Sequence, residues 1–143
     1  MRTVLATGQD REMSAPEAGI LFQARVRPDA VALRVDGDVW TFRELNEDAR
    51  DLAYALHELG VRRDDRVGVL VPNSAEFFLA THAIGRLGGI VVPINIHFKA
   101  DEAGWIVSDS GATAVVVARD LKAALEHVAQ VPQLIVEDGW RKD

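Results

Sequence analysis

The side chains of this sequence that could do chemistry are few and scattered. Four histidines occur, His57, His82, His97 and His127, and no two stand three or four residues apart, the spacing that sets two imidazoles on one helix face to hold a metal. His82 lies in an apolar run, where a core histidine with one satisfied nitrogen is favoured over a catalytic imidazole. His97, beside Asn95 in a predicted loop, could line a cleft, although a solvated loop position is the simpler reading. A phosphate cradle needs clustered glycines that offer amides, together with a lysine. The three lysines stand in Phe98-Lys99-Ala100, Leu121-Lys122-Ala123 and Arg141-Lys142-Asp143, all without glycine neighbours. Gly85-Arg86-Leu87-Gly88-Gly89 lacks the spacing of a dinucleotide fingerprint and falls at a helix end, the wrong pole of the helix dipole for an anion. No Gly-x-Ser-x-Gly turn presents a serine nucleophile, and the absence of cysteine removes thiolate chemistry and disulfides. Arg62-Arg63-Asp64-Asp65-Arg66 alternates in sign, as a solvated turn does, and Glu126 and Glu137-Asp138 have the character of surface. These residues assign no catalytic, cofactor-binding or metal-ligating position.

The elements that would position any site follow from the hydrophobic pattern. Ala18, Leu21, Phe22 and Val26 predict a short helix over Pro16 to Arg27, ended by Pro28. Val31–Val35 and Val39–Phe42 flank Asp36-Gly37-Asp38, a hairpin signal. Thr41 and Glu44 have capping-box spacing, and a helix from there to Leu59 carries Leu45, Ala49, Leu52, Ala53, Leu56 and Leu59 on one stripe, with Gly60 after it. Arg66–Val71 predicts a strand covered on both faces. Asn73 and Glu76 then repeat the capping logic before a helix over Ser74–Leu87 that is apolar nearly all round and so predicted to be sandwiched. Ile90–Ile94 is a predicted buried strand in which Pro93 points to an edge or a bulge. A helix over Asp101–Ser108, a strand over Thr113–Ala118, a helix over Asp120–Ala129 and a strand over Leu134–Val136 complete the series. Strands alternating with single helices imply parallel pairing and right-handed crossovers. The expected fold class is α/β: an open, Rossmann-like, mostly parallel sheet with flanking helices and a small N-terminal β-hairpin.

Composition agrees with one packed portion over residues 1–143. The chain is 48% hydrophobic and 27% charged, enough apolar material for a core. Its net charge of -6 argues against nucleic acid and against an anionic membrane surface. No stretch approaches the ~18 apolar residues of a membrane span, and with no cysteine the expected compartment is the cytoplasm.

Taken together, three segments resemble the N-terminal part of the adenylate-forming (AMP-binding) ligases, most of all the acyl-CoA synthetases. Trp40-Thr41-Phe42-Arg43-Glu44-Leu45 is similar to the family's first core motif, and Arg86-Leu87-Gly88-Gly89-Ile90-Val91-Val92-Pro93-Ile94-Asn95 to its second. Between them, Gly60-Val61, Asp65-Arg66-Val67 and Val71-Pro72-Asn73-Ser74-Ala75-Glu76-Phe77 follow the family's order and spacing, so the match runs from about residue 18 to residue 136. Asp64 stands where the family usually has glycine, and His97-Phe98-Lys99 replaces the usual proline and arginine. The resemblance implies ATP-dependent activation of a carboxylic acid, fatty acids included, as an acyl-adenylate, followed by transfer to the thiol of coenzyme A. ATP, Mg and coenzyme A are implied for the complete enzyme. The family's phosphate loop, adenine and ribose motifs and catalytic lysine all follow the matched region, so the resemblance carries no site residue onto this chain. The expectation is an incomplete N-terminal subdomain, inactive alone, prone to self-association or to pairing with a ligase remainder. Two alternatives stand beside it: a free-standing interaction module or pseudoenzyme, and an unrelated Rossmann-type nucleotide or CoA binder.

Overall fold

A computed structural model of the chain describes residues 19–137. Two compact units divide it, one up to Glu47 and the other from Asp48 onward.

The first unit begins with α1 (Gly19–Val26); Pro16 to Ala18, expected to open this helix, lie outside the described residues. β1 (Val31–Val35) and β2 (Asp38–Thr41) form an antiparallel hairpin whose register pairs Val35 with Asp38 and Leu33 with Trp40, with an irregularity before Val31 meets Thr41. Its turn is only Asp36-Gly37, with φ of 49° and 92°, the doubly left-handed turn that matches the twist of a two-residue hairpin. α2 (Phe42–Glu58) starts directly from β2. The expected capping box is closed in both directions: Glu44 N–H donates to Thr41 Oγ1 at 3.2 Å, and Thr41 N–H donates to Glu44 Oε2 at 2.8 Å. Phe42 N–H and Arg43 N–H donate to the carbonyls of Ala30 and Pro28, tying the helix start to the chain before β1. The Arg27 guanidinium lies 5.0 Å from the centre of the Phe42 ring.

The second unit contains the rest of α2, whose Leu52, Ala53 and Leu56 are buried, and a four-stranded sheet. β3 (Arg66–Leu70), β4 (Ile90–Pro93), β5 (Ala114–Ala118) and β6 (Gln133–Val136) pair in the order β4-β3-β5-β6, all parallel. α3 (Ala75–Arg86) connects β3 to β4, and α4 (Ala100–Ser110) connects β4 to β5. Leu70, Val115 and Val117 from one sheet face form a core with Ala103 and Val107 of α4 and with Leu125 and Val128. Because β3 leads to β4 on one side and the chain then returns past β3 to β5, right-handed crossovers put α3 on the opposite face from α4. The expected class and topology are those observed.

Four local expectations are corrected. The β5–β6 connection, expected as an α-helix, is a run of 3-10 turns over Arg119–Val128. Leu125 and Val128, three residues apart, stack on one side of a three-residue turn and are its buried pair. The N-cap of α3 is Ser74 and not Asn73: Ser74 Oγ accepts from Phe77 N–H at 3.3 Å and donates to the Pro72 carbonyl at 2.9 Å. α3 buries one face, with Leu79, Ala80, Ala83 and Ile84, whereas Phe77, Phe78 and Leu87 stay half-buried, so it is covered on one side and not sandwiched. β4 is an edge strand with Ile90 exposed, so the burial expected for it is not reached; the position suits Pro93, which has no N–H to give a further neighbour.

At the end of the sheet where the strands begin, the backbone closes on itself. Asp64, at φ 66°, donates its N–H to the Gly88 carbonyl at 2.9 Å, and Ile90 N–H donates to the Asp65 carbonyl at 2.8 Å. A Cβ on Gly89 would meet Ile84 Cγ2 at 2.9 Å and the carbonyl oxygens of Asp65 and Ile84 at 3.2 Å. Glycine is therefore demanded by close approach at Gly89.

Candidate functional site at the carboxyl ends of the strands

In open parallel sheets, ligands settle where neighbouring strands send their connections to opposite faces, because the loops part there and leave a crevice. Here β3 sends its chain to one face while β4 and β5 send theirs to the other, so a crevice is expected on each side of the β3 end. Two clefts of about 390 Å³ each occupy these places.

Val71 and Pro72, which follow β3, are common to both clefts. The cleft toward β5 and β6 is acidic. Its polar lining is Glu76, Asp120, Glu137 and Arg119, and the Arg119 guanidinium is already paired with Glu137 across the ends of the two strands. Glu76, on the first turn of α3, is only 8% exposed. Among the described residues of this lining, three carboxylates stand against one paired guanidinium and no lysine, a set that would repel a triphosphate. Among the described residues no three His, Asp or Glu side chains converge to hold a metal ion. The donor sets of the described residues therefore do not fit ATP or magnesium.

The cleft toward β4 carries no carboxylate among the described residues. Phe77, Ile94 and Ile96 supply apolar wall, Pro72 and Pro93 flank it without N–H groups, and Asn73, Asn95 and His97 form the polar part. Asn95 Oδ1 accepts from His97 N–H at 2.9 Å, a local turn that fixes the carboxamide.

The other chemistry-bearing residues fall apart from these clefts. His82 is half-buried, its ring centre 4.3 Å from that of Phe78, and desolvation by burial lowers its pKa from 6.5. His57 lies 3.9 Å from Glu58, and His127 Nδ1 lies 3.0 Å from Asp101 Oδ1, both on exposed side chains. Arg62 donates to the His57 and Val61 carbonyls, and its own N–H donates to Asp65 Oδ2, so the charged stretch is a self-satisfied turn. The Gly85–Gly89 stretch ends α3 as expected. Asn73, Glu76, Asn95, Arg119 and Asp120 belong to no catalytic motif in the sequence; Asn73 and Glu76 stand out there as capping residues and Asn95 as a neighbour of His97, and all three lie in the segments that carry the family resemblance. The signal that marks them is position: each closely follows the carboxyl end of a predicted parallel strand.

Comparison with known proteins agrees with this architecture. Residues 21–142 match the family described as AMP-binding enzyme. Tyrocidine synthase 1 of Brevibacillus parabrevis is 34% identical over 121 residues, covering 85% of this chain and 11% of that protein. Bacitracin synthase 2 of Bacillus licheniformis is 33% identical over 108 residues, covering 74% and 4%. Among solved structures, the anthranilate CoA ligase AuaEII in complex with anthranoyl-AMP superposes with a TM-score of 0.75 at 29% identity, covering 82% of this chain and 24% of that one. The chain thus spans a small fraction of the length of these relatives. The likeness is broader than the expected acyl-CoA synthetases, since peptide synthases stand beside CoA ligases.

Proposed function

The chain belongs to the AMP-binding enzyme family, and from that premise we propose that residues 1–143 form one N-terminal α/β portion of an ATP-dependent acid–thiol ligase of the CoA-ligase type. In that reaction a carboxylate oxygen attacks the α-phosphorus of ATP, pyrophosphate leaves, and a thiol then displaces AMP from the acyl group. Such chemistry depends on aligning the carboxylate and offsetting charge at the phosphates. The described residues contribute the parallel sheet, its covering helices and the two crevices, and the groups that hold ATP, magnesium and coenzyme A are not among them. The chain alone is therefore inactive on this reading. Its proposed compartment is the cytoplasm.

The observation that carries the proposal is the superposition on a CoA ligase over 82% of the chain. A second reading is favoured by the higher identity, 33 to 34%, with two peptide synthases: the activated acid would then be an amino acid on its way into a peptide.

The test joins this chain to the remainder of a CoA ligase and measures acid-dependent exchange of labelled pyrophosphate into ATP together with CoA thioester. The expected result is exchange above that of the remainder alone, with thioester formed. Exchange with amino acids only, and no thioester, would replace the first reading with the second. A folded, soluble pair that exchanges nothing would remove both. The sheet edges at β4 and β6 also lead us to propose self-association of the isolated chain. Light scattering at micromolar concentration should show it, whereas a stable monomer would favour a free-standing module.

A further inference from the structure

We propose that one side of the first turns of α4 is a binding site for a small organic cation of the quaternary ammonium class, seated on Trp105 beside Asp101 and Glu102. A cleft of about 370 Å³, the size of a small organic molecule, is lined there by Phe98, Asp101, Glu102, Trp105 and Ile106. None of these residues belongs to either cleft at the strand ends. Helical spacing assembles the lining: Asp101 and Trp105, like Glu102 and Ile106, stand four residues apart and so neighbour each other along α4, and Phe98 just precedes the helix. The core beneath takes Phe98 and Ile106 in part and leaves Trp105 62% exposed, so core packing does not account for an indole at this position.

The chemistry of the lining selects the ligand. The face of an indole carries negative potential and attracts a cation more strongly than any other aromatic side chain. Two carboxylates add full charges: Glu102 Oε2 accepts from Lys99 N–H at 3.0 Å and Asp101 Oδ1 lies 3.0 Å from His127 Nδ1, so each is held by its own chain and keeps a second oxygen. Their charge outweighs the roughly half positive charge at a helix start, and among the described residues no Lys or Arg lines the cleft. A primary ammonium loses hydrogen bonds to water when it meets an apolar wall. A quaternary ammonium has none to lose, and its methyl groups bury surface against Phe98 and Ile106. A metal ion is not the better fit, since no three His, Asp or Glu side chains converge to hold one among the described residues. The site lies outside the ligase reading and does not depend on it.

The test is a titration of the 143-residue chain with choline and with benzyltrimethylammonium, followed by backbone amide shifts at ionic strength held constant with sodium chloride. Saturable binding should move amides over residues 98–106 and leave those over residues 71–77 and 119–120 unchanged. Benzyltrimethylammonium, with more apolar surface, should bind more tightly than choline, and 3,3-dimethylbutan-1-ol, which has the shape of choline without its charge, should bind more weakly than choline. Trp105→Leu, at an exposed position, keeps an apolar side chain and removes the indole face, so it should weaken binding about threefold or more. Asp101→Asn combined with Glu102→Gln keeps oxygens to accept hydrogen bonds and removes both charges, and should weaken it as well. No saturation, equal binding of the neutral alcohol, or unchanged affinity in a folded Trp105→Leu chain would overturn the proposal. A trimethyllysine peptide that binds more tightly than benzyltrimethylammonium would overturn its assignment to a free cation and point to a modified protein side chain. Pyrophosphate exchange in the joined ligase is a separate readout, so failure of either leaves the other standing.

Discussion

The two ends of the parallel sheet do opposite things with similar material. Where the strands begin, the chain seals itself: Asp64 N–H donates to the Gly88 carbonyl and Ile90 N–H to the Asp65 carbonyl, and a Cβ on Gly89 would crowd Ile84 and two carbonyl oxygens. Where the strands end, the same connections part and leave two clefts with polar side chains in them. The difference teaches that the residues carrying the family likeness are of two kinds. Gly88-Gly89 and the Thr41–Glu44 pair are closing devices, conspicuous in sequence because backbone geometry tolerates few alternatives. The residues that face open space are ordinary polar types whose meaning comes only from their place at strand ends.

Gly89→Ala tests the sealed end with the largest expected effect. Overpacking against Ile84 and two carbonyl oxygens should cost ~1–3 kcal/mol. The control is Gly85→Ala on the exposed side of α3, where an added Cβ meets nothing within 4 Å and should stabilise by roughly 0.5–1 kcal/mol. Urea midpoints that shift equally in both variants would break the contrast.

Thr41→Ala removes the hydroxyl that accepts from Glu44 N–H and should cost ~0.5–2 kcal/mol. An unchanged midpoint in a cooperatively unfolding chain would mean that the closed box contributes nothing.

His82 extends the contrast to α3. Desolvation holds its folded pKa below 6.5, so the unfolded chain binds more protons between those two values. The stability tied to neutral His82 is present above about pH 6.5 and is lost as pH falls from there toward the lowered value. His82→Phe, which keeps a ring beside Phe78, should flatten the change in urea midpoint between about pH 7.5 and about pH 5.5. An undiminished slope would assign it to other groups.

The smallest effect belongs to the open end. Asp120, exposed in the acidic cleft, should be replaceable by alanine within about 0.5 kcal/mol. A large loss there would make that end structural as well.

How much of this was legible in the sequence follows from the same division. The Asp36-Gly37 turn, the capping box and the parallel sheet were readable because positive φ, orphan helix amides and hydrophobic period each restrict residue choice locally. The 3-10 run over Arg119–Val128 was not, since Leu121, Ala124, Leu125 and Val128 satisfy a helical stripe equally well, and only the packed structure selects the tighter turn. At β4 the edge that Pro93 pointed to is observed, whereas the apolar run before it led to an expectation of burial that exposed Ile90 does not meet. The clefts were invisible for a different reason: Asn73, Asn95 and Asp120 are common loop residues, and strand order is what brings them to the crevices.

The proposal with most at stake is that this chain supplies part of the family's framework and does not activate acids alone. The most direct measurement is carboxylate-dependent exchange of labelled pyrophosphate into ATP by the purified 143-residue chain, with its fold verified by circular dichroism and short-, medium- and long-chain, aromatic and amino acids supplied in turn. That proposal predicts exchange at background with every acid. Acid-dependent exchange that follows the chain through purification, and falls when Arg119, the cation of the acidic cleft, is replaced by alanine, would contradict it.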